Sequence, residues 1–316
     1  MPPARDRLQS QVLVFIAIPI LFACVVTTIR QLACGGAPTH IDLIESLGVS
    51  LLFSVTAWRL RAATPLAAAC GGMICMLVTE SWQRIFVTSL YHGGLRAPIF
   101  YSDLIPLILV FLLTFATTRL GRTRKHELGL TESRRGRNAS QVIANLGVAG
   151  LLGPRWSLYL FAWLGYPTAM GGEVHSVAGY SVIFVVPTLS ALAEAAADTV
   201  SSEIGQAFGG TPFMLTTLRR VPPGTDGAIS LTGTLSGILA AAIIAATGAP
   251  ALGMPFAECS VAFAAAIAGL FFDSLLGATV ERRGWIGNDL VNFFSTTFAA
   301  GVALLTIRFG QGYLIR

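Results

Sequence analysis

One acidic residue, Asp273, lies deep inside an apolar stretch of this 316-residue sequence. An isolated charge at the centre of a membrane-spanning helix costs about 2.5–3.5 kcal/mol on insertion scales, so such a residue is expected to be paired, solvated or used in function. A carboxylate in this position could bind a cation. The alternative is an ion pair with Arg282 or Arg155 that only holds helices together.

A second group of polar side chains falls on one face of a predicted helix in the segment 190–210. The helical offsets are 0, 4, 7 and 8 for Glu194, Asp198, Ser201 and Ser202. Carboxylates one turn apart suit Mg²⁺, which proteins usually hold with one or two carboxylates plus substrate phosphates. We predict that Asp198 and Asp273 bind Mg²⁺ and are catalytic. Glu194 is predicted as a further metal ligand and Glu203 as a substrate contact. The alternative is a helix end with solvated acids.

The segment 216–237 combines an arginine pair, a turn and a helix start rich in small residues. Arg219 and Arg220 are predicted to be catalytic, because guanidinium groups can neutralise phosphate through paired hydrogen bonds. Glycines in the turn would let backbone N–H groups approach phosphate oxygens. The residues predicted to contact the nucleotide or substrate here are Gly224, Thr225, Asp226, Gly227 and Ser230. The alternative is an arginine pair that sets membrane topology, followed by a small-residue packing face.

Two asparagines, Asn288 and Asn292, open the last apolar segment and lie one helical turn apart. Amides at this spacing share one face of a helix. We predict that they orient the nucleotide or the acceptor, with capping of the helix as the alternative.

The composition excludes a water-soluble globular protein. Hydrophobic residues make up 54% of the chain and charged residues only 12%, whereas soluble domains carry about 25% charged residues. The five cysteines form no CxxC pair or Cys/His cluster, so a zinc site is not expected. The net charge of +5 is small and lies between apolar runs, so nucleic acid is not an expected partner.

Apolar runs predict an all-α polytopic membrane protein with about nine spans. They are residues 11–30, 42–58, 64–81, 98–118, 141–164, 174–197, 228–247, 256–278 and 289–308. Placing the N-terminus in the cytoplasm puts most Lys and Arg residues on that side, including the run in 119–140. The predicted organisation is a four-helix region (1–118), a basic cytoplasmic loop (119–140) and a five-helix unit with the polar motifs (141–316). Gly153-Pro154 should break the fifth span.

Five stretches resemble the DUF92 family of integral membrane proteins, which also includes the TMEM-nineteen type proteins of eukaryotes. They are GRNASQVIANLG (136–147), ADTVSSEIG (197–205), VPPGTDGAIS with the following LTGT (221–234), DSLLGA (273–278) and NDLVNFFST (288–296). The resemblance covers roughly residues 119–308. Three positions depart from the family pattern, which commonly has Lys at the position of Arg220, Asn at that of Asp226 and Gln near Glu281.

The family includes the chloroplast phytyl-phosphate kinase. The resemblance therefore implies Mg²⁺-dependent transfer of a phosphoryl group from a nucleoside triphosphate, with CTP favoured, to an isoprenyl monophosphate such as phytyl or geranylgeranyl phosphate. We expect this chemistry at the cytoplasmic face of a bacterial-type inner membrane. Three alternatives remain open: a CTP-dependent cytidylyltransferase acting on a lipid phosphate, a lipid-phosphate transporter or flippase, and a non-catalytic scaffold.

Overall fold

Helices form nearly all of the regular structure. The computed structural model describes residues 3–34, 37–80, 102–130, 136–153 and 175–314. Its helices are α1 (Pro3–Cys34), α2 (Ala37–Arg59), α3 (Pro65–Thr79), α4 (Leu104–Arg119), α5 (Arg122–Glu127), α6 (Ala139–Leu152), α7 (His175–Phe208), α8 (Leu231–Ala246), α9 (Gly248–Leu252), α10 (Phe256–Leu276) and α11 (Asn288–Leu314). A π-helical turn (Gly277–Glu281) extends α10, and two short strands, β1 (Phe213–Met214) and β2 (Ala228–Ile229), pair antiparallel.

Each predicted span overlaps one helix, which is the architecture of an α-helical integral membrane protein. In the part of the chain that the structure describes, five segments are long and apolar enough to cross a bilayer: Arg5–Cys34, His40–Arg59, Leu231–Leu252, Phe256–Glu281 and Asn288–Phe309. Helices α3, α4 and α6 are apolar but shorter. Helix α6 ends at Leu152, beside the predicted Gly153-Pro154 break. Parts of the predicted spans lie outside the described residues: 81, 98–101, 154–164 (which includes Arg155) and 174. Nine crossings and a cytoplasmic N-terminus stay predictions.

Helix α7 is the centre of the bundle and packs against α4, α6, α8, α10 and α11. Its middle is rich in fully buried alanines, and small side chains let neighbouring helices approach closely. A Cβ atom on Gly237 of α8 would lie 2.7 Å from the Ala197 carbonyl oxygen. A Cβ atom on Gly269 of α10 would lie 2.6 Å from Glu194 Cγ. The acidic side chains of α7 are therefore held between closely packed helices.

Polar side chains fix the starts of α6 and α8. Asn138 Oδ1 accepts a hydrogen bond from the Gln141 amide at 3.0 Å, and Gln141 Oε1 accepts one from the Asn138 amide at 2.9 Å. This reciprocal capping box satisfies two backbone donors at the helix start. At α8, the Ser230 hydroxyl accepts from the Gly233 amide at 3.1 Å. Both caps lie beside the cavity described below.

The loop between α7 and α8 folds back onto the end of α10. Strand pairing aligns Phe213 with Ile229 and Met214 with Ala228, which closes the ribbon that ends in the 222–227 turn. Gly227 has a φ of +71°, and a Cβ atom there would overlap the backbone of Ala278. Only glycine fits this conformation and this close approach, so the turn is fixed against the π-helical turn of α10.

Candidate active site

A polar cavity of about 290 Å³ lies where α6, α7, α10 and α11 meet the 222–227 turn. Ten of the residues predicted from the sequence line it: Asp198, Glu203, Gly224, Thr225, Asp226, Gly227, Ser230, Asp273, Asn288 and Asn292. These residues come from four separate segments of the chain. The fold therefore brings together most of the predicted site, although their chemical roles remain predictions.

Two buried carboxyl groups at or near the cavity lack hydrogen-bond partners: Asp273 lines the cavity, whereas Glu194, the third predicted metal ligand, does not. Glu194 is only 1% exposed. Neither of its carboxylate oxygens, nor Asp273 Oδ2, makes a hydrogen bond within the described part of the chain. The Ser295 hydroxyl lies beside both carboxyl groups, but its hydrogen bond goes to the Asn292 carbonyl at 3.0 Å. Burying unpaired carboxylates is costly, so a compensating cation or proton is expected here.

Glu203 differs from the other acids because it has a dedicated cationic partner. Lys125 of α5 is 2% exposed, and its Nζ lies 2.5 Å from Glu203 Oε2. The same Nζ donates to the Thr118 carbonyl at 2.8 Å and to the Thr117 carbonyl at 3.3 Å, near the C-terminus of α4. A cation is favourable at that end of a helix. The pair therefore ties α4, α5 and α7 together at the rim of the cavity.

One arginine, Arg137, lines the cavity. Its Nη2 lies 3.4 Å from Thr199 Oγ1, and its charge acts on Asp198. The backbone holds it firmly: the Arg137 amide donates to the Ala62 carbonyl, and the Arg137 carbonyl accepts from the Thr64 amide, both at 2.9 Å. The backbone of Arg137 is therefore fixed, and its guanidinium lies next to the acidic group of α7.

The arginine pair singled out in the sequence does not reach the cavity lining. Arg219 and Arg220 are both exposed. The Arg220 guanidinium lies 5.8 Å from the centre of the Phe213 ring, and the Arg219 carbonyl accepts from the Met214 amide at 2.9 Å. The proposed Asp273–Arg282 ion pair is not formed either, since Arg282 directs its Nη1 to Met214 Sδ at 3.6 Å.

Sequence reasoning gave no site role to several lining residues, among them Arg137, Gln141, Asn145 and Glu281. The first three lie in one short motif, where the N-x-x-Q capping signature marks a helix start and Gln141 and Asn145 are one turn apart. That signal could have placed all three at the start of α6. Arg137 was instead counted among the basic residues of a topogenic loop. Lys125 has no comparable local signature, because its partner is far away in the sequence.

The balance of charge in the cavity favours a bound cation. Among the described residues, five acids line it and are opposed by Arg137: Asp198, Glu203, Asp226, Asp273 and Glu281. Within the residues that the structure describes, no three His, Cys, Asp or Glu side chains are grouped so that they could hold a metal ion by themselves, and this includes the predicted set of Glu194, Asp198 and Asp273. Mg²⁺ is usually held by one or two carboxylates plus substrate phosphates. The unpartnered oxygens of Glu194 and Asp273 therefore fit an ion that shares its coordination with a bound phosphate.

Three curated relatives resemble the chain. It is 32% identical to Protein VTE6, chloroplastic, of Arabidopsis thaliana over 63% of this chain and 56% of that protein. It is 30% identical to Uncharacterized membrane protein sll0875 of Synechocystis over 61% of this chain and 69% of the relative. The third is Uncharacterized membrane protein MJ0933 of Methanocaldococcus jannaschii, 32% identical over 65% of this chain and 76% of the relative.

The match to VTE6 thus spans little more than half of that protein's length. No solved structure matches the chain. The family model described as integral membrane protein DUF92 matches residues 48–300. That match begins within α2 and includes α3 and α4 as well as the helices that carry the polar motifs. The chain belongs to the DUF92 family of integral membrane proteins.

Proposed function

We propose that the chain is a membrane-embedded phosphotransferase that moves a phosphoryl group from a nucleoside triphosphate, with CTP favoured, to an isoprenyl monophosphate such as phytyl or geranylgeranyl phosphate. One observation carries the proposal: Asp198 of α7 and Asp273 of α10 line one polar cavity with a glycine-containing turn and Arg137. The kinase in the family supplies the expectation about the reaction.

In the proposed reaction, an oxygen of the acceptor monophosphate attacks the γ-phosphorus of the nucleoside triphosphate. A new phosphorus–oxygen bond forms, the bond from the γ-phosphorus to the β–γ bridging oxygen breaks, and the nucleoside diphosphate leaves with that electron pair. Such transfers need little covalent help from the protein and depend on positioning and neutralisation of charge. A cavity with fixed charges suits this requirement.

Each part of the cavity has a role in the proposal. Asp198 and Asp273, with Glu194 behind them, hold Mg²⁺ together with the donor phosphates. Mg²⁺, when bound, neutralises phosphate charge and polarises the transferred group. Arg137 binds the acceptor phosphate, a role that the sequence assigned to Arg219 and Arg220.

The other lining groups hold the donor. Backbone N–H groups of the turn from Gly224 to Gly227, with Thr225, Asp226 and Ser230 beside them, contact the triphosphate. Asn288 and Asn292 orient the nucleotide. Glu203, neutralised by Lys125, keeps α5 against α7.

The direct test uses the purified full-length protein with Mg²⁺, γ-labelled CTP or ATP, and geranylgeranyl or phytyl monophosphate. We expect labelled isoprenyl diphosphate and a nucleoside diphosphate. Absence of a labelled diphosphate with every donor would remove the proposal. Release of pyrophosphate with transfer of the cytidylyl group would identify a cytidylyltransferase instead, and nucleotide-independent movement of lipid phosphate across liposomes would identify a transporter.

We further propose that the site faces the cytoplasm of a bacterial-type inner membrane. Basic residues concentrate beside it, in α5 and at Arg282 and Arg283, as the positive-inside rule requires of cytoplasmic loops. In a cysteine-free background, Arg283→Cys should react with a membrane-impermeant maleimide in inverted vesicles and not in right-side-out vesicles. The reverse pattern would place the site on the opposite side.

A further inference from the structure

A second cavity, of about 550 Å³, lies between α2, α3, α4 and α6. Its inner end is apolar and includes Phe53, Ala57, Gly71, Val110 and Phe111. The rings of Phe53 and Phe111 meet edge to face with centroids 5.3 Å apart. Protein interiors are closely packed and rarely leave voids much larger than a water molecule, whereas small-molecule sites span roughly 300–1,000 Å³. A space of this size is therefore large enough to hold a small-molecule ligand.

The other end of this apolar cavity is basic. Six cationic or titratable basic residues line it: Arg61, Arg119, Arg122, Lys125, His126 and Arg137. No Asp or Glu among the described residues joins them. The Arg119 guanidinium stacks 3.5 Å over the Phe115 ring and donates to the Leu60 carbonyl at 2.9 Å.

Polarity therefore changes along the length of the cavity. The part of α4 that lines it runs from Val110 to Arg119, about 14 Å of helix. An occupant that matches this gradient has a long apolar chain and an anionic head.

The two cavities share a wall. Arg137 and Asn145 line both, and the Lys125 side chain, which lines the apolar cavity, pairs with Glu203 of the polar one. An anionic head at the basic end would therefore lie next to Arg137, on the side that faces Asp198 and the polar cavity. This is the position that an acceptor phosphate needs in a transfer between two bound substrates.

We infer that the cavity between α2, α3, α4 and α6 binds the isoprenyl chain of the acceptor, with its monophosphate at the basic end against Arg137 and the nucleotide in the polar cavity. The inference rests on the proposed function for the identity of the acceptor. Arg137 contacts the phosphate that attacks the donor. Phe53, Gly71 and Phe111 set the length of chain that fits, so the N-terminal helices determine specificity.

The first experiment maps the occupant on the native protein without any turnover. Full-length protein in nanodiscs, without nucleotide, is irradiated with geranylgeranyl monophosphate that carries a diazirine at the end of its chain. We expect crosslinks to Phe53, Phe111 and their neighbours in the cavity. Unlabelled geranylgeranyl monophosphate should compete, whereas geranylgeraniol and dioleoyl phosphatidic acid should not. Crosslinks confined to exposed side chains of α2 such as Leu51 and Leu52, or equal competition by phosphatidic acid, would overturn the inference.

The second experiment shortens the cavity. Gly71→Leu fills its apolar end, because a Cβ atom there already lies 3.4 Å from the Phe53 ring. Displacing two methylenes of a bound chain weakens binding about tenfold. We expect KM for the geranylgeranyl acceptor to rise about tenfold and KM for the geranyl acceptor to stay within twofold. Gly48→Leu is the matched control, since a Cβ atom on Gly48 of α2 meets nothing within 4 Å. Equal changes for both chain lengths would contradict the inference.

The two experiments separate this inference from the proposed function. Crosslinks in the cavity together with no diphosphate product in the transfer assay would remove the kinase and keep the isoprenyl-phosphate site. Diphosphate product together with crosslinks only outside the cavity would keep the kinase and remove this site. Because the crosslinking uses the unmodified chain, a failure of Gly71→Leu to fold does not leave the inference without a test.

Discussion

The two cavities differ in almost every property except their shared wall. The polar cavity is lined by five acids and Arg137, and it is built by the helices that carry the sequence motifs. The apolar cavity is lined by small and aromatic residues with a basic end, and its walls include α2, α3 and α4. Arg137 and Asn145 belong to both.

In the proposed reaction, this difference brings together two phosphate-bearing substrates despite their like charges. An acidic cavity can accept a triphosphate only together with cations, whereas arginines can bind an acceptor phosphate directly. Because the lining is acidic on one side of the shared wall and basic on the other, each substrate would bind in its own cavity. The predictions below test whether the two cavities carry these separate roles.

The largest effect is expected from the acids of the polar cavity. Asp273→Asn and Asp198→Asn each remove a carboxylate that the cation would need, and we expect kcat to fall by about 10²–10³-fold, the usual cost of losing one electrostatic stabiliser. The measurement is initial rate of diphosphate formation at saturating substrates. Glu258→Gln, on the same helix as Asp273 but away from the cavity, is the matched control and should keep most of the rate. An unchanged rate in Asp273→Asn would remove its metal role.

A smaller loss is expected at the shared wall. Arg137→Ala removes a charge-assisted hydrogen bond to phosphate, worth about 1.5–3 kcal/mol, and we expect kcat/KM for the acceptor to fall about 10–100-fold. Arg137→Lys should recover part of the lost kcat/KM, because lysine keeps the positive charge but cannot form the paired hydrogen bonds of a guanidinium. If kcat/KM for the acceptor were the same in Arg137→Ala as in the native protein, the shared wall would have no role in transfer.

The turn that closes the polar cavity should tolerate no side chain at Gly227. Gly227→Ala places a Cβ atom on the backbone of Ala278 at a positive φ, and we expect a loss of about 1–3 kcal/mol in stability, seen as a lower midpoint in thermal unfolding. Gly210→Ala separates the two causes, because Gly210 also has a positive φ, of +67°, but has open space around it. It should cost less than Gly227→Ala. Equal losses would show that the close approach to α10 contributes nothing.

The smallest effect is expected from the exposed arginine pair. Arg219→Ala and Arg220→Ala are surface substitutions, which usually change the free energy of unfolding by no more than about 0.5 kcal/mol. We expect kcat/KM to change less than about threefold in each variant. A fall comparable to that of Arg137→Ala would return these residues to the catalytic role that the sequence suggested.

Local features of the sequence predicted the polar cavity well. Hydropathy located the helices, and the cost of burying Asp273 marked it as functional. Helical spacing put Asp198, Ser201 and Ser202 on one face, and all three line the cavity, whereas Glu194 on the same predicted face does not. The glycines of the 222–227 turn predicted a close approach to phosphate, and the structure shows a close approach of Gly227 to Ala278. Each of these signals is contained within one or two turns of chain.

Non-local features were not predictable in the same way. The Lys125–Glu203 pair joins residues 78 positions apart, so no spacing rule reveals it. The walls of the apolar cavity consist of residues such as Ala57, Gly71 and Phe111, whose types are the same as those of a packed core. Whether such residues enclose a space depends on how α2, α3, α4 and α6 are arranged, which no local pattern encodes.

The most direct test of the central claim is a density map of the full-length protein with Mn²⁺ in place of Mg²⁺ and a non-hydrolysable CTP analogue. The account predicts a metal peak in contact with Asp198 and Asp273, with the triphosphate between them and the turn at Gly224–Gly227. A nucleotide bound outside the polar cavity, or a metal peak away from both aspartates, would contradict it.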